Sequence, residues 1–185
     1  MWWKWLLFLA MSVMIVFSFI TPAPQQIIGE SSRIFYYHIP QAWICVIAFA
    51  VAMVYSVKYL RTKNIADDDK ASSAAALGLI FCILATLSGS IFAKVTWGSF
   101  WNWDPRETSI FFILLLYTAY LALRGSIEGD EKRARLSAIY SVLAFVAVPF
   151  LIFVVPRMYA TLHPDPIIND RGKVDKKALA AKGGA

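Results

Sequence analysis

Charge is scarce in this sequence. Asp, Glu, Lys and Arg make up 16% of its 185 residues, against 59% hydrophobic and 15% aromatic residues. A water-soluble domain carries roughly a quarter charged residues, so this chain could not cover its surface in water. A surface facing lipid has the opposite requirement. Cysteine is nearly absent too: Cys45 and Cys82 each sit inside an apolar run. Without a CxxC or a CxxCH, the chain offers neither a dithiol redox motif nor a site for covalent haem attachment. The two thiols read as small buried apolar groups. Histidine is limited to His38 and His163. The net charge of +6 does not point to nucleic acid, because Lys and Arg cluster at the ends of apolar runs, as membrane topology requires.

Five apolar runs remain, each near the ~20 residues that a spanning helix needs. They lie at about Trp5–Ile20, Pro40–Val57, Ala74–Ala93, Pro105–Leu123 and Leu136–Pro156. Pro40 suits a first helical turn, and Pro149 is expected to kink the fifth helix. The first run is read as a retained helix: Thr21-Pro22-Ala23-Pro24 follows it, and no small-x-small cleavage site is evident. The length suits one bundle, so the expected fold is an all-α polytopic transmembrane bundle with functional loops on its outer face. Residues 1–163 would form this domain and residues 164–185 a polar basic tail, with Lys176–Ala185 fraying at its end.

The segments Lys58–Lys70 and Arg124–Arg135 are rich in Lys and Arg, whereas the opposite loops hold only Arg33, Lys94 and Arg106. The positive-inside rule therefore puts the two basic segments and the amino terminus in the cytoplasm. The basic tail, with Arg171, Lys173, Lys176, Lys177 and Lys182, runs against that assignment, since five crossings leave it outside.

Helix parity places His38, His163 and the loop Trp97-Gly98-Ser99-Phe100-Trp101-Asn102-Trp103-Asp104 on one side of the membrane, whichever side that is. Neutral imidazole is a good axial ligand for haem iron. Trp97, Trp101 and Trp103 offer apolar faces to a flat macrocycle, and Arg33, Lys94, Arg106 and Arg157 could pair with its propionates. Plainer readings stand beside these. Tryptophan is ordinary at a membrane interface, interfacial histidines are often merely solvated, and Asp104-Pro105-Arg106-Glu107 reads as a helix start with an N-cap and a capping box.

The run Trp97 to Asp104 resembles the WGxxWxWD signature of WWD-motif membrane proteins of cytochrome c maturation. With His38-Ile39-Pro40-Gln41-Ala42-Trp43 before it and Leu162-His163-Pro164 after it, the chain is similar to the CcmC type over about Arg33 to Pro164. The resemblance implies that His38 and His163 ligate non-covalent haem b from opposite sides. It also implies that Trp97, Trp101 and Trp103, with Asp104, form a platform at the ring edge, and that Arg33 and Arg106 meet the propionates. It further implies haem capture and delivery rather than catalysis by this chain alone. The setting would be a bacterial inner membrane, with membrane lipid around the bundle, ABC-transporter subunits beside it and a periplasmic CcmE-type chaperone as recipient. The chain departs from that type in lacking an apolar run for a sixth helix, and Asp104-Pro105-Arg106-Glu107-Thr108 is also similar to the haem-channel subunits of the other assembly system. Two other readings compete: a b-type electron-transfer subunit that exchanges electrons with quinol, and a scaffold or transporter that uses the tryptophans only as an anchor.

Overall fold

The structure, a computed structural model, describes residues 2–23 and 29–162. His163 and the tail 164–185 therefore lie outside the described residues. What is described is all-helical: α1 (Trp2–Ile20), a 3-10 turn (Gly29–Ile34), α2 (Phe35–Thr62), α3 (Ile65–Trp97), α4 (Pro105–Ser126), α5 (Asp130–Pro149), a π turn (Phe150–Val154) and α6 (Val155–Met158). Five helices are long and apolar enough to cross a membrane, and the chain is a multi-pass membrane protein.

Every spanning helix is longer than its apolar run, for reasons that lie in the polar ends. α2 starts at Phe35, so His38 lies within the helix rather than before it, and Pro40 is an interior residue. Pro40 has no N–H to offer the Tyr36 carbonyl one turn back. The expected loop Lys58–Lys70 is almost wholly helical, because its charges are paired. The Asn64 side chain caps α3 by accepting the Ala66 N–H at 3.1 Å. Asp67 accepts from Lys58 at 3.0 Å. Asp68 is buried and takes both arms of Arg124, at 2.9 and 2.6 Å. This fork on a carboxylate ties α3 to α4 at the end of the bundle opposite the tryptophan loop. α5 likewise begins with Asp130 and Glu131 in its first turn. Pro149 ends it as a regular α-helix; beyond, the Val155 N–H reaches back five residues to the Phe150 carbonyl.

The core is built from small residues at helical spacing. α2 buries Cys45, Ala48, Phe49, Ala52, Ser56 and Tyr59; α5 buries Ala134, Ser137, Ala138, Ser141, Ala144 and Val148. Lipid tails are as apolar as the helices, so close approach through small side chains replaces the hydrophobic drive. One large group fills the centre: the Phe49 ring stacks on Tyr117 with centroids 3.4 Å apart and planes 11° from parallel. Gly78 makes room for it, since a Cβ there would stand 2.5 Å from Phe49 Cδ1. Cys45 and Cys82, distant in sequence, meet in this core as free thiols in hydrogen-bonding contact.

α1 stands apart. Ser18 is its one buried residue. It is held at its carboxyl end, where Ser18 Oγ lies 2.5 Å from Tyr37 Oη and Arg33 Nη1 donates to the carbonyls of Ser18 and Thr21, each at 2.6 Å.

Candidate functional site

The tryptophan loop begins where α3 stops. Gly98 takes a left-handed conformation (φ +84°) and caps the helix by donating its N–H to the Lys94 carbonyl at 3.1 Å. Lys94 Nζ donates to the Gly98 carbonyl at 2.9 Å and sits over the Phe100 ring. Trp103 also has a positive φ of 56°, an unusual posture for a bulky residue. It turns the chain into Asp104, which caps α4. The capping box with Glu107 is complete: Glu107 Oε2 accepts the N–H groups of Asn102 at 2.7 Å and Asp104 at 3.3 Å.

Beside this loop α2, α3, α4, the π turn and α6 enclose a cavity of about 660 Å³, within the size range of cofactor and ligand pockets. Its walls are mostly apolar. Phe35, Ile39 and Trp43 come from α2, Ala85, Gly89 and Phe92 from α3, and Leu151 and Phe153 from the π turn. A few polar groups converge on it: His38, Trp101, Arg106, Glu107 and Arg157.

His38 is half-buried, with Nδ1 3.0 Å from Ser88 Oγ. Its ring lies flat enough against α3 that a Cβ on Gly89 would come within 3.0 Å of Cε1. Arg157 donates to the Phe153 carbonyl one turn back. Glu107 Oε1, the oxygen not used in the capping box, is buried with no hydrogen-bond partner among the described residues.

The residues singled out by sequence separate into two groups. His38, Trp101 and Arg106 line the cavity; Trp97, Trp103, Asp104 and Arg33 are not among its lining residues. Trp97 packs edge-on to Phe92, 5.6 Å between centroids. Trp103 is 68% exposed and meets Trp101 edge-to-face at 5.9 Å, with Phe111 against both rings. Arg33 is engaged with Glu30 and the end of α1. Asp104 is buried, and its Oδ2 accepts from Thr161 Oγ1 at 2.8 Å and from the Leu162 N–H at 2.6 Å. It thereby anchors the segment that ends just before His163. Sequence reasoning overlooked Ser88 and Gly89, and it read Glu107 only as part of a cap. The one available signal was Ser88-Gly89-Ser90 itself, a polar, glycine-centred break inside an apolar helix.

The model of a family described as CcmC, heme exporter protein C, matches residues 1–180. The chain belongs to that family. Heme exporter protein C of Bradyrhizobium diazoefficiens is 29% identical over 153 residues, which cover 82% of this chain and 58% of the relative. A putative cytochrome c biosynthesis ccmC-like mitochondrial protein of Marchantia polymorpha is 31% identical over 144 residues, covering 78% and 60%. A cytochrome c biogenesis protein CcsA of Cuscuta reflexa is 34% identical over 110 residues, covering 59% and 35%. The chain thus spans less than two thirds of the length of the family relatives it matches here.

Proposed function

We propose that this heme exporter protein C family member takes part in cytochrome c biogenesis by binding non-covalent haem b in the cavity beside the tryptophan loop and presenting it for transfer. The observation that carries the reading is the convergence of an imidazole, an indole and two guanidinium groups on one apolar cavity. The residues suit the cargo in three respects. Gly89 leaves space where a Cβ would crowd the His38 ring. Arg106 and Arg157 bring fixed positive charge to the rim for propionates. The walls are aromatic and aliphatic, as a macrocycle requires.

In this reading His38 is one axial ligand of the haem iron and His163 is the other. Trp101 packs against the ring, and the exposed Trp103 forms the edge at which a recipient docks. Asp104 acts on the second ligand indirectly, through the segment it anchors. Occupying both axial positions limits reaction of the iron with oxygen while the ring edge stays open for handover. The partners proposed are a periplasmic CcmE-type chaperone and ABC-transporter subunits. The location proposed is a bacterial inner membrane, with the amino terminus in the cytoplasm and the site on the outer face. The likeness to CcsA favours one second reading, that the site serves a haem-channel assembly of the other maturation system.

The test is an absorption spectrum and pyridine haemochrome assay of the detergent-purified full chain, with His38→Ala and His163→Ala beside it. Haem bound by the wild type and lost or spectrally altered in both variants supports the ligand pair. Well-folded protein that takes up no added haem would sink the reading.

A further inference from the structure

Ser88 has more acceptors around it than it can serve. Its hydroxyl lies 2.9 Å from the Leu84 carbonyl, 3.1 Å from the Ala85 carbonyl and 3.3 Å from Gln41 Oε1. All three are oxygens that only accept, and back-bonding of a helical serine to the carbonyl four residues earlier is a common use of its single proton. The fourth neighbour is His38 Nδ1 at 3.0 Å. With the serine proton engaged on a carbonyl, the serine oxygen keeps lone pairs and no hydrogen for the ring. The bond then closes in one sense: Nδ1 carries the proton and donates, and the serine oxygen accepts. The Ala85 carbonyl, which also interacts with the imidazole, is a second group on the same helix that can only accept from it.

Gly89 acts on the same ring by shape. A Cβ at this position would stand 3.0 Å from Cε1, 3.6 Å from Nδ1 and 3.9 Å from Nε2. The Cε1–Nδ1 edge is thus the one pressed on α3, and Nε2 is the ring nitrogen farther from it. Ser88 and Gly89 together form a cradle on α3 for a side chain of α2.

We propose that Ser88 and Gly89 are positioning residues that hold His38 as its Nδ1–H tautomer, so that the Nε2 lone pair is the one offered to the cavity. This rests on the reading of His38 as a haem ligand only in what Nε2 is for; the tautomer itself is a property of the empty protein. A ligating imidazole that donates its other N–H is fixed in orientation and made more basic, and loss of such a partner typically weakens metal binding about 10- to 100-fold.

The decisive experiment is a nitrogen NMR spectrum of the full chain with ¹⁵N-labelled histidine, at pH 8.5 where the imidazole is neutral, in a His163→Ala background that leaves one ring to observe. We expect a protonated Nδ1 and an unprotonated Nε2, a population that shifts toward the Nε2–H form in Ser88→Ala and is retained in Ser88→Thr. Gly89→Ala should move both ring signals by displacing the ring. A wild-type ring already protonated at Nε2, or a Ser88→Ala spectrum like the wild type's, would overturn the proposal. Haem titration of otherwise wild-type protein then separates it from the haem reading. His38→Ala should abolish the ligated spectrum, whereas Ser88→Ala should bind about tenfold more weakly with a higher iron reduction potential. If His38→Ala binds as the wild type does, the ligand assignment fails whatever the nitrogen spectrum shows. If His38→Ala loses haem while Ser88→Ala keeps the wild-type affinity, potential and tautomer, the cradle alone fails.

Discussion

The amide of Leu162 donates to the carboxylate of Asp104 across 58 residues of chain, at 2.6 Å. The same oxygen takes the Thr161 hydroxyl, and the other oxygen caps α4 through the Arg106 N–H at 2.9 Å. One buried carboxylate therefore joins the tryptophan loop, the start of α4 and the chain leading to His163. Asp104→Ala should lose the cap, about 1 kcal/mol, and release the segment as well. Hydrogen exchange should show the Leu162 amide exchanging at least about tenfold faster, while amides in the middle of α2 and α3 keep their protection. Asp104→Asn should lie between the two, because its remaining carbonyl can still accept.

Trp101 and Trp103 touch each other but occupy different places, one on the cavity wall and one on the surface. Trp101→Ala should therefore weaken haem binding by up to about tenfold, the scale of one lost aromatic contact. Trp103→Ala should leave haem affinity nearly unchanged and slow transfer to a haem acceptor. Equilibrium titration and stopped-flow transfer measure the two effects separately. Equal losses of affinity in both variants would contradict the division.

The Asp68–Arg124 fork is a buried pair at the far end of the bundle. Removing either partner strands a charge, at a cost of about 3 kcal/mol, so Asp68→Ala and Arg124→Ala should each lower thermal stability clearly. The double variant should recover much of the loss. A double-mutant cycle on the apparent unfolding temperature in detergent tests this; simple additivity would show that the pair contributes little.

Gly78→Ala would bring a methyl group to 2.5 Å from the Phe49 ring, which Tyr117 blocks on its stacked face. Overpacking of this kind costs about 1–3 kcal/mol. The loss should be partly rescued by Phe49→Leu, and chemical unfolding of the single and double variants would measure both effects.

Arg33 holds the end of α1. Arg33→Ala should leave the unfolding of the α2–α5 bundle almost unchanged and free the first helix to pivot. Spin labels at Met11→Cys and Ile47→Cys should then give a broader distance distribution than in the parent. An unchanged distribution would mean that Ser18 and Tyr37 suffice.

The five crossings were legible because lipid imposes long charge-free runs. Their ends were not, because Lys58, Asp67 and Asp68 look like loop residues until their partners are known; only the folded bundle supplies Arg124. Residue types gave the candidate site correctly as a neighbourhood, with His38, Trp101 and Arg106 brought together. They could not divide the work within it. Nothing in the sequence tells Trp101 from Trp97, or says that Arg33 would face the end of α1 while Arg157 lined the cavity. Ser88 and Gly89 were hidden for the same reason: their role is defined by a ring on another helix.

The π turn at Phe150–Val154 sets a phase. Each residue of an α-helix advances the chain by about 100° around its axis, and this wide turn holds one residue more than an α turn would. Deleting one residue there would restore a continuous helix and rotate all that follows by about that angle. Pro156 and Arg157 would swing off the cavity, and Leu162 would leave Asp104. The connection at 127–129 carries no such constraint, so it could change length without moving the site. Length is thus fixed by function in the one stretch that looks, as sequence, like featureless membrane filler.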